Sequence, residues 1–138
     1  MMAPAQASKF RAYVGFVAAI SYVLFVWFLS SRIVDFAILR HVPFKDKGIH
    51  FLEYGALATM LVDALVHLRP VRGLLRAAAG AVWLTLCAGL MDELHQAFVF
   101  GRSGEVPDLV ADACGALSAV LAYAVASAWR RRQKLSPP

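Results

Sequence analysis

The sequence predicts an all-α, polytopic membrane protein: a bundle of four transmembrane helices with both termini cytoplasmic. Three observations predict it. First, 60% of the 138 residues are hydrophobic and only 17% are charged, against about a quarter charged in a soluble domain. Second, the apolar residues fall into four runs, each near the roughly 20 residues a helix needs to cross a hydrocarbon core of about 30 Å. Third, the lysines and arginines cluster where those runs end. The net charge of +5 therefore reads as topology and as attraction to anionic headgroups. The sequence carries no RNA- or DNA-binding motif, and nucleic acid is not expected as a partner.

The first span is expected over about 12–30 and has no charge between Tyr13 and Leu29. Lys9 and Arg11 precede it like the basic region of a signal peptide. The apolar run is too long for such a peptide, and "SSRIVDF" offers no small-x-small cleavage site, so a retained span is expected. The second, third and fourth spans are expected over about 47–68, 74–96 and 107–129. Short connections make neighbouring helices antiparallel. One domain covering 1–138 is expected, without internal repeats. Cys87 and Cys114 lie inside apolar runs and read as small fillers. Trp27, Trp83 and Trp129 read as interface or packing aromatics.

Orientation follows the basic residues. With four spans, Lys9 and Arg11, then Arg69, Arg72 and Arg76, then Arg130, Arg131, Arg132 and Lys134 all lie on one side. The positive-inside rule makes that side cytoplasmic. The other two connections mix signs, with Arg32, Asp35, Arg40, Lys45 and Asp46 in one and Arg102 and Glu105 in the other. They are expected to face outward.

Charges also fall where lipid penalises them. Residues three, four and seven apart share a helix face. "DKGIHFLEYGAL" puts Asp46, His50, Glu53 and Leu57 on one stripe and Lys47, His50 and Tyr54 on an overlapping one. Gly89, Asp92, Glu93 and Gln96 share a face at the end of the third span. Asp108, Asp112, Gly115 and Ala119 share a face at the start of the fourth, the last two small enough for close helix approach. All three groups sit at the outer ends. An isolated carboxylate there costs several kcal/mol, so the groups are expected to form one polar cavity. Lys47, Arg102, His50 and His95 would offset its carboxylates. Asp63 and His67, one turn apart at the other end, are expected to pair with each other or with Arg69.

"DKGIHFLEYGAL" followed by "DELHQAFVFGRSGEVPDLVADACG" resembles the VanZ-like family of small bacterial membrane proteins. Asp46, Lys47, His50, Phe51 and Tyr54 match its first motif. Asp92, Glu93, Gln96, Phe98, Gly101, Arg102, Asp108 and Gly115 match its second, and the similarity covers spans two to four. The chain departs at Phe100, where the family often has proline, and at Asp112, where it often has asparagine. The founding member is associated with resistance to the glycopeptide teicoplanin. The resemblance implies a multi-pass protein of the bacterial cytoplasmic membrane acting near envelope lipids.

Asp92, Glu93, His50 and Asp46 are the candidate catalytic residues, by acid–base work on a lipid-linked phosphate or sugar headgroup. Lys47, Arg102, Gln96, Tyr54, Asp108 and Asp112 are the candidate substrate-binding residues. Arg102, in a glycine-flanked turn, suits a bidentate grip on phosphate or carboxylate. Membrane lipids and a lipid-linked envelope precursor are the expected partners. A divalent cation is a candidate cofactor, held by carboxylate oxygens, with His50 or His95 favouring a transition metal; no tight zinc-ligand spacing is present. The competing readings are a structural salt-bridge network, a non-catalytic lipid- or antibiotic-binding protein, and a small transporter. Transport is disfavoured because the charges crowd one end.

Overall fold

The computed structural model describes residues 3–31, 45–68 and 73–135. These form four helices: α1 Pro4–Ser30, α2 Lys45–His67, α3 Leu74–Gln96 and α4 Val106–Leu135. No strand occurs among the described residues, and all four helices are long and apolar enough to cross a membrane. Two bounds differ from the apolar runs. α1 starts at Pro4, where a proline in the first turn costs no hydrogen bond. α4 continues to Leu135, so Arg130, Arg131, Arg132 and Lys134 are helical; basic side chains in a last turn complement the helix dipole. The residues joining α1 to α2, including Arg32, Asp35 and Arg40, lie outside the described residues, as do Arg69 and Arg72.

α2 packs against α1, α3 and α4, while α1 and α3 barely touch. Its approach to α4 is set by glycine. A Cβ on Gly115 would collide with the Phe51 carbonyl, and one on Gly55 would meet the Gly115 carbonyl oxygen at 3.3 Å. Gly15 lets α1 approach Ala64 of α2 in the same way. Small residues at the crossings suit a lipid setting, where helix association rests on packing. Tyr54, Leu57, Ala58, Leu61, Val62, Ala77, Ala81 and Ala116 form the buried apolar core. Large apolar side chains point outward, among them Ile20, Phe25 and Phe28 of α1, Trp83 and Leu90 of α3, and Leu121 and Trp129 of α4.

The two ends of the bundle differ. One gathers the C-termini of α1 and α3 and the N-termini of α2 and α4, with most of the buried charge. At the other, Arg11 donates two hydrogen bonds of 3.1 Å to Asp63, and the Tyr123 hydroxyl donates a third at 2.9 Å. Asp63 thereby ties α1, α2 and α4. His67 lies 3.8 Å from its carboxylate. The expected pairing of Asp63 with His67 is thus a secondary contact. The sequence reading missed Arg11 and Tyr123, which come from distant helices.

Candidate functional site

At the charged end, α2 contributes Asp46, Lys47 and His50 on its first two turns. α3 contributes Asp92, Glu93 and Gln96 on its last two, and α4 contributes Asp108 and Asp112 on its first two. His50, Asp92, Glu93, Gln96, Asp108 and Asp112 are all buried. The helix spacing that predicted three stripes therefore brings them to one place.

The cluster has three parts. The outermost is centred on Lys47, whose ammonium lies 2.6 Å from Asp46, 2.7 Å from Glu105 and 2.9 Å from Asp108. An ammonium has three N–H donors, so carboxylates of the protein already surround Lys47. Glu105, expected only as a charge in a mixed-sign connection, is one of its partners. Asp46, at the exposed rim, holds Lys47.

The second part runs along α3. Asp92 accepts a hydrogen bond from the Ser30 hydroxyl at 2.6 Å and another from the Gln96 amide at 2.9 Å. Tyr54 lies against the same carboxylate. Arg102 then donates to the Gln96 carbonyl oxygen at 2.7 Å. A relay thus leads from α1 through Asp92 and Gln96 to Arg102. Ser30 had no sequence signal, because a serine closing an apolar run is common. Arg102 forms no ion pair with a carboxylate among the described residues, unlike the expected offsetting role. One of its nitrogens carries the contact to Gln96, its one side-chain hydrogen bond among the described residues.

The third part is the most enclosed. The His50 ring nitrogen Nδ1 lies 3.0 Å from Asp112 Oδ1 and 3.9 Å from Glu93 Oε1, and Nε2 lies 4.0 Å from Asp108 Oδ2. Tyr54 stacks on the His50 ring at 6.0 Å. Glu93 Oε2 accepts the backbone N–H of Glu105 at 2.6 Å, pinning the α3–α4 connection over the site. Gly101, with φ 80°, turns that connection. Gly104 lets it approach, since a Cβ there would lie 2.6 Å from the Glu93 carbonyl oxygen. Gly89 leaves room for Asp112, whose carboxylate a Cβ would strike.

His95 sits apart from this centre. It bonds the Ser31 hydroxyl at 2.8 Å and stacks on Trp27 at 5.4 Å, joining α3 to α1. It offsets no carboxylate among the described residues. Glu53 also turns aside, toward Tyr22, Val23 and Val26 of α1, lining a small pocket with Tyr54 and Leu57. Below that pocket lies an apolar furrow of about 320 Å³, lined by Phe16, Ala19, Ile20, Val23 and Leu24 of α1, Leu57 and Leu61 of α2, and Leu84 and Ala88 of α3. Val23 and Leu57 border both hollows, so the furrow leads toward the charged end.

A family model described as VanZ/LLP1 matches residues 7–127. No curated protein and no solved structure matches the chain.

Proposed function

The chain belongs to the VanZ/LLP1 family, and from that premise we propose that it is a multi-pass protein of the bacterial cytoplasmic membrane that binds a cell-envelope lipid. The anionic headgroup is held at the charged end, which faces outward, and the tail lies in the furrow between α1 and α3. The observation that carries this reading is an apolar furrow on span-length helices that shares Val23 and Leu57 with a hollow lined by Tyr54, the residue that stacks on His50 of the polar cluster. A lipid has that chemistry: one charged end, one apolar end, and lateral access from the bilayer.

Within this reading Arg102 is the anion-binding residue. Among the described residues its guanidinium donates to Gln96 alone, and a guanidinium fork fits phosphate or carboxylate oxygens. Lys47 is a structural counter-ion, because three carboxylates already hold it. Asp92 and Gln96 position Arg102. His50, Asp112 and Glu93 are the groups that would act on a bound headgroup, since His50 is oriented by Asp112 as a general base is by a carboxylate. Outward orientation is supported by the basic C-terminal turn of α4 at the opposite end. A role in glycopeptide resistance would follow from the headgroup bound.

The test is mass spectrometry of lipids copurifying with the protein and with Arg102→Ala and Glu93→Gln. A phosphate-bearing envelope lipid should copurify with the unaltered chain. Arg102→Ala should retain about tenfold less of it, as expected for loss of charge-assisted hydrogen bonds worth ~1.5–3 kcal/mol. If the site also modifies the lipid, unmodified lipid should build up on Glu93→Gln. Identical lipid profiles in all three would refute the reading and leave the cluster a structural network.

A further inference from the structure

The charge at the centre of the cluster is not balanced by its bases. Among the described residues, six carboxylates, Asp46, Asp92, Glu93, Glu105, Asp108 and Asp112, meet two permanent cations, Lys47 and Arg102. Lys47 serves Asp46, Glu105 and Oδ1 of Asp108. Ser30 and Gln96 satisfy Asp92. What remains is the inner face: Glu93 Oε1 and Asp112 Oδ2, both buried and without a hydrogen-bond partner among the described residues, and Asp108 Oδ2, which lies 4.0 Å from His50 Nε2. Glu93, Asp108 and Asp112 are only 7%, 5% and 0% exposed. Leaving such oxygens unpaired costs several kcal/mol.

We propose that His50, Glu93 and Asp108 form a binding site for a divalent transition-metal cation, with Asp112 orienting the histidine ring. The three residues come from three helices, and their donor atoms lie within 4.8 Å of one another. His50 Nε2 lies 4.0 Å from Asp108 Oδ2, against the spacing of about 3.4 Å that follows from tetrahedral bonds of ~2.1 Å, while Glu93 Oε1 lies 3.9 Å from the other ring nitrogen, Nδ1. Rotation of the Glu93 and Asp108 side chains would bring both carboxylates onto a cation at Nε2. Asp112 Oδ1 accepts the hydrogen bond of His50 Nδ1 at 3.0 Å, leaving Nε2 with a lone pair beside Asp108. A ligating histidine characteristically donates its other ring N–H to a carboxylate in this way.

The donor set names the cation class. Calcium and magnesium prefer oxygen alone, and magnesium retains several waters. One imidazole with carboxylates suits zinc, manganese or ferrous iron. Three protein ligands leave a position open, as in metal sites that bind an exchangeable group. A headgroup oxygen could complete the sphere. The cation site does not require the lipid reading.

The experiment uses the full chain in detergent, free of affinity tags and stripped with chelator, titrated with zinc and then manganese by calorimetry. Metal content is read by elemental analysis. One zinc ion per chain should bind saturably. Glu93→Gln and Asp108→Asn should each weaken binding at least tenfold, and Asp112→Asn by the 10–100-fold typical of an orienting partner. Asp63→Asn, at the opposite end, should leave it unchanged. Circular dichroism and size-exclusion profiles establish that each variant is folded, and a misfolded variant is replaced by His50→Gln. Absence of saturable binding, or binding that these variants leave intact, overturns the proposal. Copurifying lipid is measured on the same stripped protein, so either reading can fail while the other stands.

Discussion

At Gly115 a single missing side chain sets how closely two helices approach. A Cβ there would press into the Phe51 carbonyl, with further backbone atoms of Phe51 at 2.9 and 3.1 Å. Helix backbone cannot yield as a flexible side chain can. Gly115→Ala should therefore destabilise the bundle by about 1–3 kcal/mol, the usual cost of overpacking, and lower the melting temperature in detergent by several degrees. Gly48→Ala is the control: no described atom lies within 4 Å of the added methyl, and an alanine in a helix is favoured over glycine by about 0.5–1 kcal/mol. Equal melting temperatures for the two variants would sink this account of the α2–α4 crossing. Residues of this kind were legible in the sequence, because Asp108, Asp112 and Gly115 fall on one face by spacing alone. Ser30 was not, nor was the Arg102–Gln96 contact. Both depend on how a chain end or a turn folds back, and periodicity says nothing about that.

Among the elements, the order and number of the helices were readable from length and hydropathy, and their bounds less so. α1 and α4 extend beyond their apolar runs, since a polar or basic turn can continue a helix into the headgroup region. The α3–α4 connection is the element that least resembles its sequence reading. It was expected as a flexible anion-binding turn, but it is pinned by Glu93 to the Glu105 backbone and by Lys47 to the Glu105 side chain. Phe98 and Phe100 on it are 89% and 99% exposed, placed to sit among headgroups as interfacial aromatics do. Gly104→Val should break the pinning, because its Cβ has no room beside the Glu93 carbonyl. Amide hydrogen exchange across residues 99–107 should then speed up about tenfold or more, at the lower end of the ~1–3 kcal/mol overpacking cost. Exchange in the middle of α3 should not change. If the connection exchanges at the same rate in both proteins, Glu93 is not what holds it.

Across the whole molecule, the separation of the two ends decides what the protein can do. Between the charged end and Asp63, the α2–α4 interior is filled by Leu57, Ala58, Leu61, Val62 and Ala116. No chain of polar groups crosses that layer among the described residues, so the cluster is confined to one end of the bundle, and that end meets one side of the membrane. Which side is set by the basic residues. Arg11 is engaged with Asp63, so it acts partly as a packing residue and weighs less as a topology signal than the sequence suggested. The α4 terminus, with Arg130, Arg131, Arg132 and Lys134, is then the strongest signal among the described residues. Moving those charges across the bilayer would oppose the positive-inside bias, so the termini should face the cytoplasm and the α3–α4 connection the outside. In a chain with Cys87 and Cys114 replaced by alanine, a membrane-impermeant thiol reagent applied to intact cells should label Ser103→Cys and spare Gln133→Cys. Inverted vesicles should give the opposite pattern. Labelling of Gln133→Cys from outside would reverse the topology and place the site in the cytoplasm, where envelope lipids in the outer leaflet could not reach it.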